Sequence, residues 1–358
     1  MIVIFSNHSE GIRRDEKELC VVTLKQIAEH CGVSLSTASK ALNGAPDISE
    51  KTIQQVRQAA ESMGYMPNAA ARALKTHRSY VFGILFAAAA EQGLTHEFFS
   101  RILNSFKNQA GELGYDIFFI GDHIGQRQIG YAEHARYRNC DGVLVVVGAQ
   151  CDEETVHELA KSGIPLVCID AECEGFSCVL SDNEQGMQAL TEYVIAQGHR
   201  RIALIHGEDS YVTRQRIDSF RRTCASHGIS VPPAYIIEGL YHQPDAVREP
   251  TRRLLSLPEP PTCILYPDDI SYLGGVCALE EMGRSIPGDL STAGYDGTIV
   301  GQAFHPRLTT VRQDAESMGA SAANELARIV EAGGRADIRR ILVPGALIPG
   351  ETVRPIAQ

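Results

Sequence analysis

At 358 residues the chain is longer than one hydrophobic core usually organises, and 44% apolar with 22% charged residues is the composition of a globular protein of two or three domains. A net charge of -11 excludes a protein that coats nucleic acid over its whole surface but leaves room for a local basic patch. Ten cysteines are too scattered for a disulfide framework, and "CIDAECEGFSC" spaces Cys168, Cys173 and Cys178 without a histidine or partner pair, so reduced thiols and no metal are expected.

Residues 1–21 read as an extension, because "MIVIF" is too short for a signal-peptide core and its charged segment "RRDEKE" follows it. "GILFAAAA" is likewise too short to span a bilayer, so a cytoplasmic location away from membranes is expected. From Val22 the period is helical. Leu24, Ile27, Ala28 and Cys31 share a face, Gly32 ends that helix, and Ser34 can cap a second that turns Ala38, Ala41 and Leu42 inward. "NGAPD" breaks the chain, and Ser49 can cap a third helix carrying Ile53, Val56, Ala60 and Met63. Residues 22–66 thus form a three-helix, helix-turn-helix domain. Between Thr23 and Arg78 stand seven Lys/Arg against four acids, a local excess of positive charge in an acidic chain.

Residues 67–79, "PNAAARALKTHRS", differ from a Gly/Ser linker. Pro67 stops the third helix, Asn68 can cap, and Ala69 to Lys75 make barely two turns, too few to be stable alone in water. The segment reads as a hinge that orders on binding. Leu74 is its one large apolar side chain, fit either to act as a wedge between base steps of a minor groove or to dock on the domain that follows.

From residue 80 to 358 strands and helices alternate. Apolar runs at "VFGILF", "YDIFFIG", "DGVLVVV", "IPLVCID", "RIALIHG", "YIIEG", "TCILYP" and "LSTAGYD" are separated by helical patterns such as Phe98 to Leu113, Glu184 to Gln197, Arg214 to His227 and Tyr272 to Met282. The fold class is α/β: a helical head and hinge, then two lobes of parallel sheet flanked by helices, with a cleft at the carboxyl ends of the strands.

Two sets of residues can carry function. On the second helix, Leu35, Ser36 and Lys40 lie outward if Ala38 and Ala41 lie inward. They can meet a thymine methyl, a base edge or phosphate, and guanine acceptors in a major groove. In the cleft, Arg216 begins a helix after a strand, Asp269 in "YPDD" and Asp296 in "GYDG" follow strands, and of Phe98 and Phe99 one is expected to pack in the core and the other to offer a ring-stacking surface. A polar ligand is expected. No GxSxG, GxxxxGK[ST] or GxGxxG follows a strand, and His206 near Ser210 lacks an orienting partner, so no catalytic residue and no cofactor is expected. One reading of these two sets is a sugar-binding or sugar-processing protein with an appended head; the other is a protein whose DNA binding responds to its ligand.

"VTLKQIAEHCGVSLSTASKALNG" and "GYMPNAAARALKTHRS" resemble the head and hinge of the lactose/galactose-repressor family of bacterial transcription regulators. "SDNEQGMQALTEYVIAQGHRRIALIHG", "PDDISYLGGVCALEEMGRSIPGDLSTAGYDG" and "HPRLTTVRQD" are similar to that family's effector domain, itself like periplasmic sugar-binding proteins. The resemblance implies a homodimeric repressor on a pseudo-palindromic operator, hinge helices paired in the minor groove, and a sugar or sugar derivative in the cleft controlling operator affinity. It places Leu35, Ser36, Thr37, Lys40 and Asn43 of the head, and Asn68, Ala71, Arg72, Leu74 and Lys75 of the hinge, on DNA. This chain departs from the common pattern in having Lys40 for an arginine, Asp268 for an asparagine and Gly297 for an acid.

Overall fold

A computed structural model describes residues 22–66, 73, 78–87, 93–147, 158–172, 175–303 and 305–356. The chain divides into two compact units, Met1–Ser79 and Tyr80–Gln358.

In the first unit, helices α1 (Leu24–Cys31), α2 (Leu35–Leu42) and α3 (Glu50–Ser62) start and stop on local signals. Thr23 and Gln26 form a reciprocal capping box on α1, which satisfies donors that a helix start leaves open. Gly32 at φ 63° then adopts the left-handed turn that ends it. Ser34 caps α2 and Ser49 caps α3. Ile27, Ala28, Ala38, Ala41, Ile53, Val56, Ala59 and Ala60 close a core in which small side chains let three short helices cross tightly.

The second unit holds two lobes. The strands are β1 (Val81–Ala87), β2 (Asp116–Phe119), β3 (His123–Ile124), β4 (Arg127–Gln128), β5 (Gly142–Val147), β6 (Leu166–Ile169), β7 (Ser177–Ser181), β8 (Ile202–His206), β9 (Ile236–Glu238), β10 (Cys263–Leu265), β11 (Ser291–Ala293), β12 (Thr310–Arg312), β13 (Arg340–Val343) and β14 (Ala346–Ile348). The first lobe is a six-stranded sheet in the order β13-β7-β6-β5-β1-β2, and the second a four-stranded sheet in the order β11-β10-β8-β9, all parallel. Near-continuous apolar strands such as "GVLVVV" and "LVCI" are what a parallel sheet covered on both faces requires. On one face of the first sheet, helices Glu97–Glu112 and Ala315–Glu331 touch so closely that a Cβ at Gly319 would stand 2.3 Å from the Ile102 carbonyl oxygen.

The chain passes between the lobes three times, at Asp182, at Gln313–Asp314 and at Pro344–Gly345. Backbone bonds tie the first crossing to the third and the second to the loop after β11. Asp182 N donates to Val343 O at 2.8 Å and Gln313 N to Asp296 O at 3.3 Å. The carboxyl ends of β6, β8, β10 and β11 converge beside them, which is where such sheets present binding residues.

Candidate functional site

In the head, α2 turns Ala38 and Ala41 inward and leaves Leu35 53% exposed, with Ser36 and Lys40 also in solvent. Thr37 is partly engaged in the helix start: its amide donates to Ser34 Oγ at 3.0 Å. Asn43 closes the other end, its Nδ2 donating to the Ser39 carbonyl at 2.7 Å. Lys40 is paired with Asp47. The exposed face therefore presents an apolar residue, a hydroxyl and a cation. Asn68, Ala71, Arg72, Leu74 and Lys75 lie outside the described residues.

In the second unit the cleft is built around Arg216, in the second turn of the helix Tyr211–Ser226 and only 5% exposed. Its Nε donates to Asn183 Oδ1 at 2.8 Å and its Nη1 to the Pro267 carbonyl at 3.1 Å. The guanidinium lies 3.6 Å from the Tyr295 ring centroid, a cation–π stack, with Tyr241 at 5.7 Å. Among the described residues its Nη2 has no hydrogen-bond partner and the group makes no direct ion pair. A buried cation with spare donors is a demand for an acceptor.

Acceptors around it are also under-used. Asp170, one residue past β6, has a buried Oδ1 with no partner, and burial pushes its carboxyl up to about 6, Arg216 opposing and Asp296 adding to the shift. Gln313, at a crossover, has a buried and unpartnered Oε1 while its Nε2 donates to Asp296 Oδ1 at 2.7 Å. Asp296 Oδ2 stands 3.8 Å from His242 Nε2. Five described non-glycine residues have positive φ, and three of them, Asp170 (57°), His242 (54°) and Asp296 (98°), line this cleft. Strained backbone held in place by its surroundings is a common signature of a working site.

The lobes meet across the same space. His96 of the first lobe and His242 of the second meet edge to face at 3.9 Å between ring centroids, and the Ile299 amide donates to the Glu97 carboxylate at 3.2 Å. Burial, reinforced by His242, pulls the His96 imidazole down to about 3, so it is neutral at ordinary pH. On the outer edge Arg340 of β13 bonds the Tyr211 hydroxyl and pairs with Glu172 at 3.4 Å.

Two sequence expectations need correction. Asp269 does not face the cleft with a free carboxylate: Oδ1 accepts from Thr310 Oγ1 at 2.7 Å and Oδ2 from the Thr298 amide at 2.7 Å, so it clamps the loop after β11 inside the lobe. Burial, and then Asp296, hold its carboxyl well above the usual range. Asp268 is the residue nearer the cleft, 3.6 Å from His242 Nδ1, though its oxygens also accept from the amides of His242, Ile270 and Ser271. Phe98 and Phe99 offer no stacking surface. Both are buried in the first lobe's core, Phe99 edge-on to Phe86, because an apolar pair in the first turn of a helix beside a sheet is worth more inside than in water.

Sequence reasoning missed Asp170, Asn183, His96, His242, Tyr241, Tyr295 and Gln313. Asp170 carried a signal, since it ends the run "IPLVCID" as Asp296 ends "LSTAGYD". The others stand in crossovers, loops or helix starts with no local mark. Ser210 near His206 is an N-cap, accepting from the Thr213 amide at 3.1 Å, and no nucleophile–base pair forms there.

Residues 23–68 match the model for bacterial regulatory proteins of the lacI family, and residues 191–353 match the periplasmic binding protein-like domain. The chain belongs to the lacI family of regulators. It is a DNA-binding transcriptional regulator with an effector-binding C-terminal domain and not an enzyme. Among similar proteins is the "Probable HTH-type transcriptional repressor ExuR" of Bacillus subtilis strain 168, 29% identical over 314 residues that cover 87% of this chain and 92% of the relative. The HTH-type transcriptional repressor PurR of Klebsiella pneumoniae strain 342 is 29% identical over 86% of this chain and 89% of its own. The fold is also that of the lac repressor dimer bound to operator and the anti-inducer ONPF, with a TM-score of 0.76 at 24% identity over 93% of this chain and 99% of that one. A regulator CelR–cellobiose complex gives a TM-score of 0.67 at 24% identity, covering 92% and 99%. Among the described residues no helix is long and apolar enough to cross a membrane, and no group of three or more His, Cys, Asp or Glu is arranged to hold a metal.

Proposed function

We propose that this regulator is a cytoplasmic repressor that binds a pseudo-palindromic operator as a homodimer and is controlled by a hydroxyl-rich small molecule, a sugar or sugar derivative, closed between its lobes. The observation that carries the ligand class is the pattern of unmet hydrogen bonds: Arg216 Nη2 lacks an acceptor, and Asp170 Oδ1 and Gln313 Oε1 lack donors. Vicinal hydroxyls both donate and accept, so one ligand of this kind satisfies all three. The half-buried Tyr241 ring near Arg216 supplies apolar surface for the face of the ligand's ring. Cellobiose bound to one structural neighbour and operator bound to another support the same pair of partners.

Leu35, Ser36 and Lys40 read base edges, with Thr37 and Asn43 near the phosphates. Asn68, Ala71, Arg72 and Lys75 of the hinge line the minor groove around the Leu74 wedge. Dimerisation uses the outer faces of the helices Glu97–Glu112 and Tyr272–Glu281. Whether the ligand releases or recruits the operator follows from which lobe arrangement it binds more tightly.

The test is a thermal-shift screen of neutral sugars, sugar acids, sugar phosphates and nucleosides on the full-length protein, followed by operator titration with and without each stabilising compound. A compound whose stabilisation survives both Arg216→Ala and Asp170→Asn binds elsewhere and sinks the assignment. Sedimentation with operator present checks assembly, a monomer at micromolar concentration being the adverse result.

A further inference from the structure

The exposed face of α2 carries a cation that is already engaged. The Lys40 ammonium pairs with the Asp47 carboxylate, and that hydrogen bond is the main reason the Asp47 carboxyl lies below its ordinary range. Asp47 belongs to the link between α2 and α3, which folds back on the end of α2. Gly44 N donates to Ala41 O at 3.1 Å, Ala45 N to Lys40 O at 3.0 Å and Ile48 N to Ala45 O at 3.1 Å. The backbone therefore sets where this acid stands relative to Lys40.

Asp47 has no other evident task. The cap of α3 is Ser49, whose Oγ accepts from the Thr52 amide at 3.2 Å. The remaining acids of the head lie elsewhere: Glu29 sits 3.9 Å from Lys25 on α1, Glu50 opens α3 where the helix dipole favours it, and Glu61 is on its last turn. An acid beside the proposed DNA-reading face also repels phosphate, which is a cost unless it does something for recognition.

Lysine is a point charge with three rotatable donors on a flexible stem and lacks the planar fork by which arginine addresses two acceptors at once. A carboxylate that takes one of those donors directs the other two. We propose that Asp47 is a positioning residue for base recognition, holding the Lys40 ammonium in one orientation so that the pair supplies the directional geometry a guanidinium has by itself. The proposal rests on the reading of Lys40 as a base-contacting residue. By the same contact Asp47 lowers affinity for arbitrary sequence while sharpening the choice among sequences.

The experiment uses the full-length protein, a duplex that it selects from a randomised pool, that duplex with single base-pair changes, and a random duplex of equal length, each over a salt series. Asp47→Asn should tighten binding to the random duplex and cut the selected-to-random ratio about tenfold, with the lost discrimination confined to one base pair per half-site. In a Lys40→Arg background the same change should cost much less discrimination, because the guanidinium keeps its own geometry. Unchanged melting of the head, read by circular dichroism, separates this from unfolding. An equal affinity change for every duplex overturns the proposal, as does a loss of discrimination from Asp47→Asn in the Lys40→Arg or Lys40→Ala background as large as in the parent. Lys40→Ala weakening selected and random duplexes alike removes Lys40 from recognition and the proposal with it. If Lys40→Ala relaxes one position and Asp47→Asn relaxes none, the proposal alone fails.

Discussion

Arg216 donates from Nε to the side-chain oxygen of Asn183 at 2.8 Å, and Asn183 is the first helical residue after the Asp182 crossover between the lobes. Asn183 is itself anchored, its Nδ2 donating to the Ser181 carbonyl at 3.1 Å. The group proposed to meet the ligand is thus bonded directly to a segment that joins the two lobes. Arg216→Ala should abolish the ligand's effect on operator binding. Asn183→Ala, which leaves the guanidinium present but unsteadied, should weaken ligand binding about tenfold, as losing one hydrogen bond to a charged group does. Calorimetry and operator titration on each variant check this; a normal ligand response in Arg216→Ala would refute it.

Asp170 should make ligand affinity depend on pH. Its carboxyl titrates near 6 because it is buried, and a ligand hydroxyl donates more strongly to the ionised form. Affinity should rise as pH goes from 5 to 7, with proton release on binding, and Asp170→Asn should flatten the slope. The same shift has a stability consequence. A carboxyl raised above its unfolded value of 3.8 keeps its proton longer in the folded protein, so its effect on stability worsens as pH rises from 3.8 towards 6. Asp170→Asn should therefore stabilise the ligand-free protein at pH 7, by about 1 kcal/mol, while weakening the complex.

His96 gives the opposite slope. Burial and the facing His242 lower it from 6.5 to about 3, with Asp268 opposing the shift, so the unfolded chain takes up a proton that the folded one refuses. Its contribution is fully present above pH 6.5 and is lost as pH falls towards 3. Asparagine keeps the N-cap that His96 provides and cannot titrate. Melting curves of His96→Asn should lose less stability between pH 7 and 5 than the parent, and an identical pH profile would show that the contact across the cleft does not carry the effect.

Leu35 is more than half exposed, so Leu35→Ala should leave the melting temperature unchanged and weaken the selected operator several-fold by removing an apolar contact with a base. Leu74→Ala should lower operator affinity with ligand affinity and melting intact, since the role proposed for it exists only on DNA. Normal operator binding by the Leu74 variant would mean that this side chain packs on protein.

The head was readable in the sequence because its information is local. Gly32, Ser34 and Ser49 end or cap helices within four residues of where they stand, and the apolar period does the rest. Strands β1, β2, β5, β6 and β8 to β11 were readable as apolar runs because a covered parallel sheet needs both faces apolar. β7, β12, β13 and β14 were not. Arg340–Val343 becomes a strand by pairing with Cys178–Ser181, some 160 residues earlier, and neither segment announces the other. The cleft divides the same way. Arg216 and Asp296 could be singled out as charged residues at element ends, whereas choosing between Asp268 and Asp269 depended on which carboxylate Thr298 and Thr310 would claim from a distant loop. Local pattern determined the elements and the charged groups at their ends. Tertiary structure decided which of those groups were consumed by the fold and which, such as Asp170, Gln313 and the last nitrogen of Arg216, were left over, because hydrogen-bond satisfaction is a property of assembled neighbours.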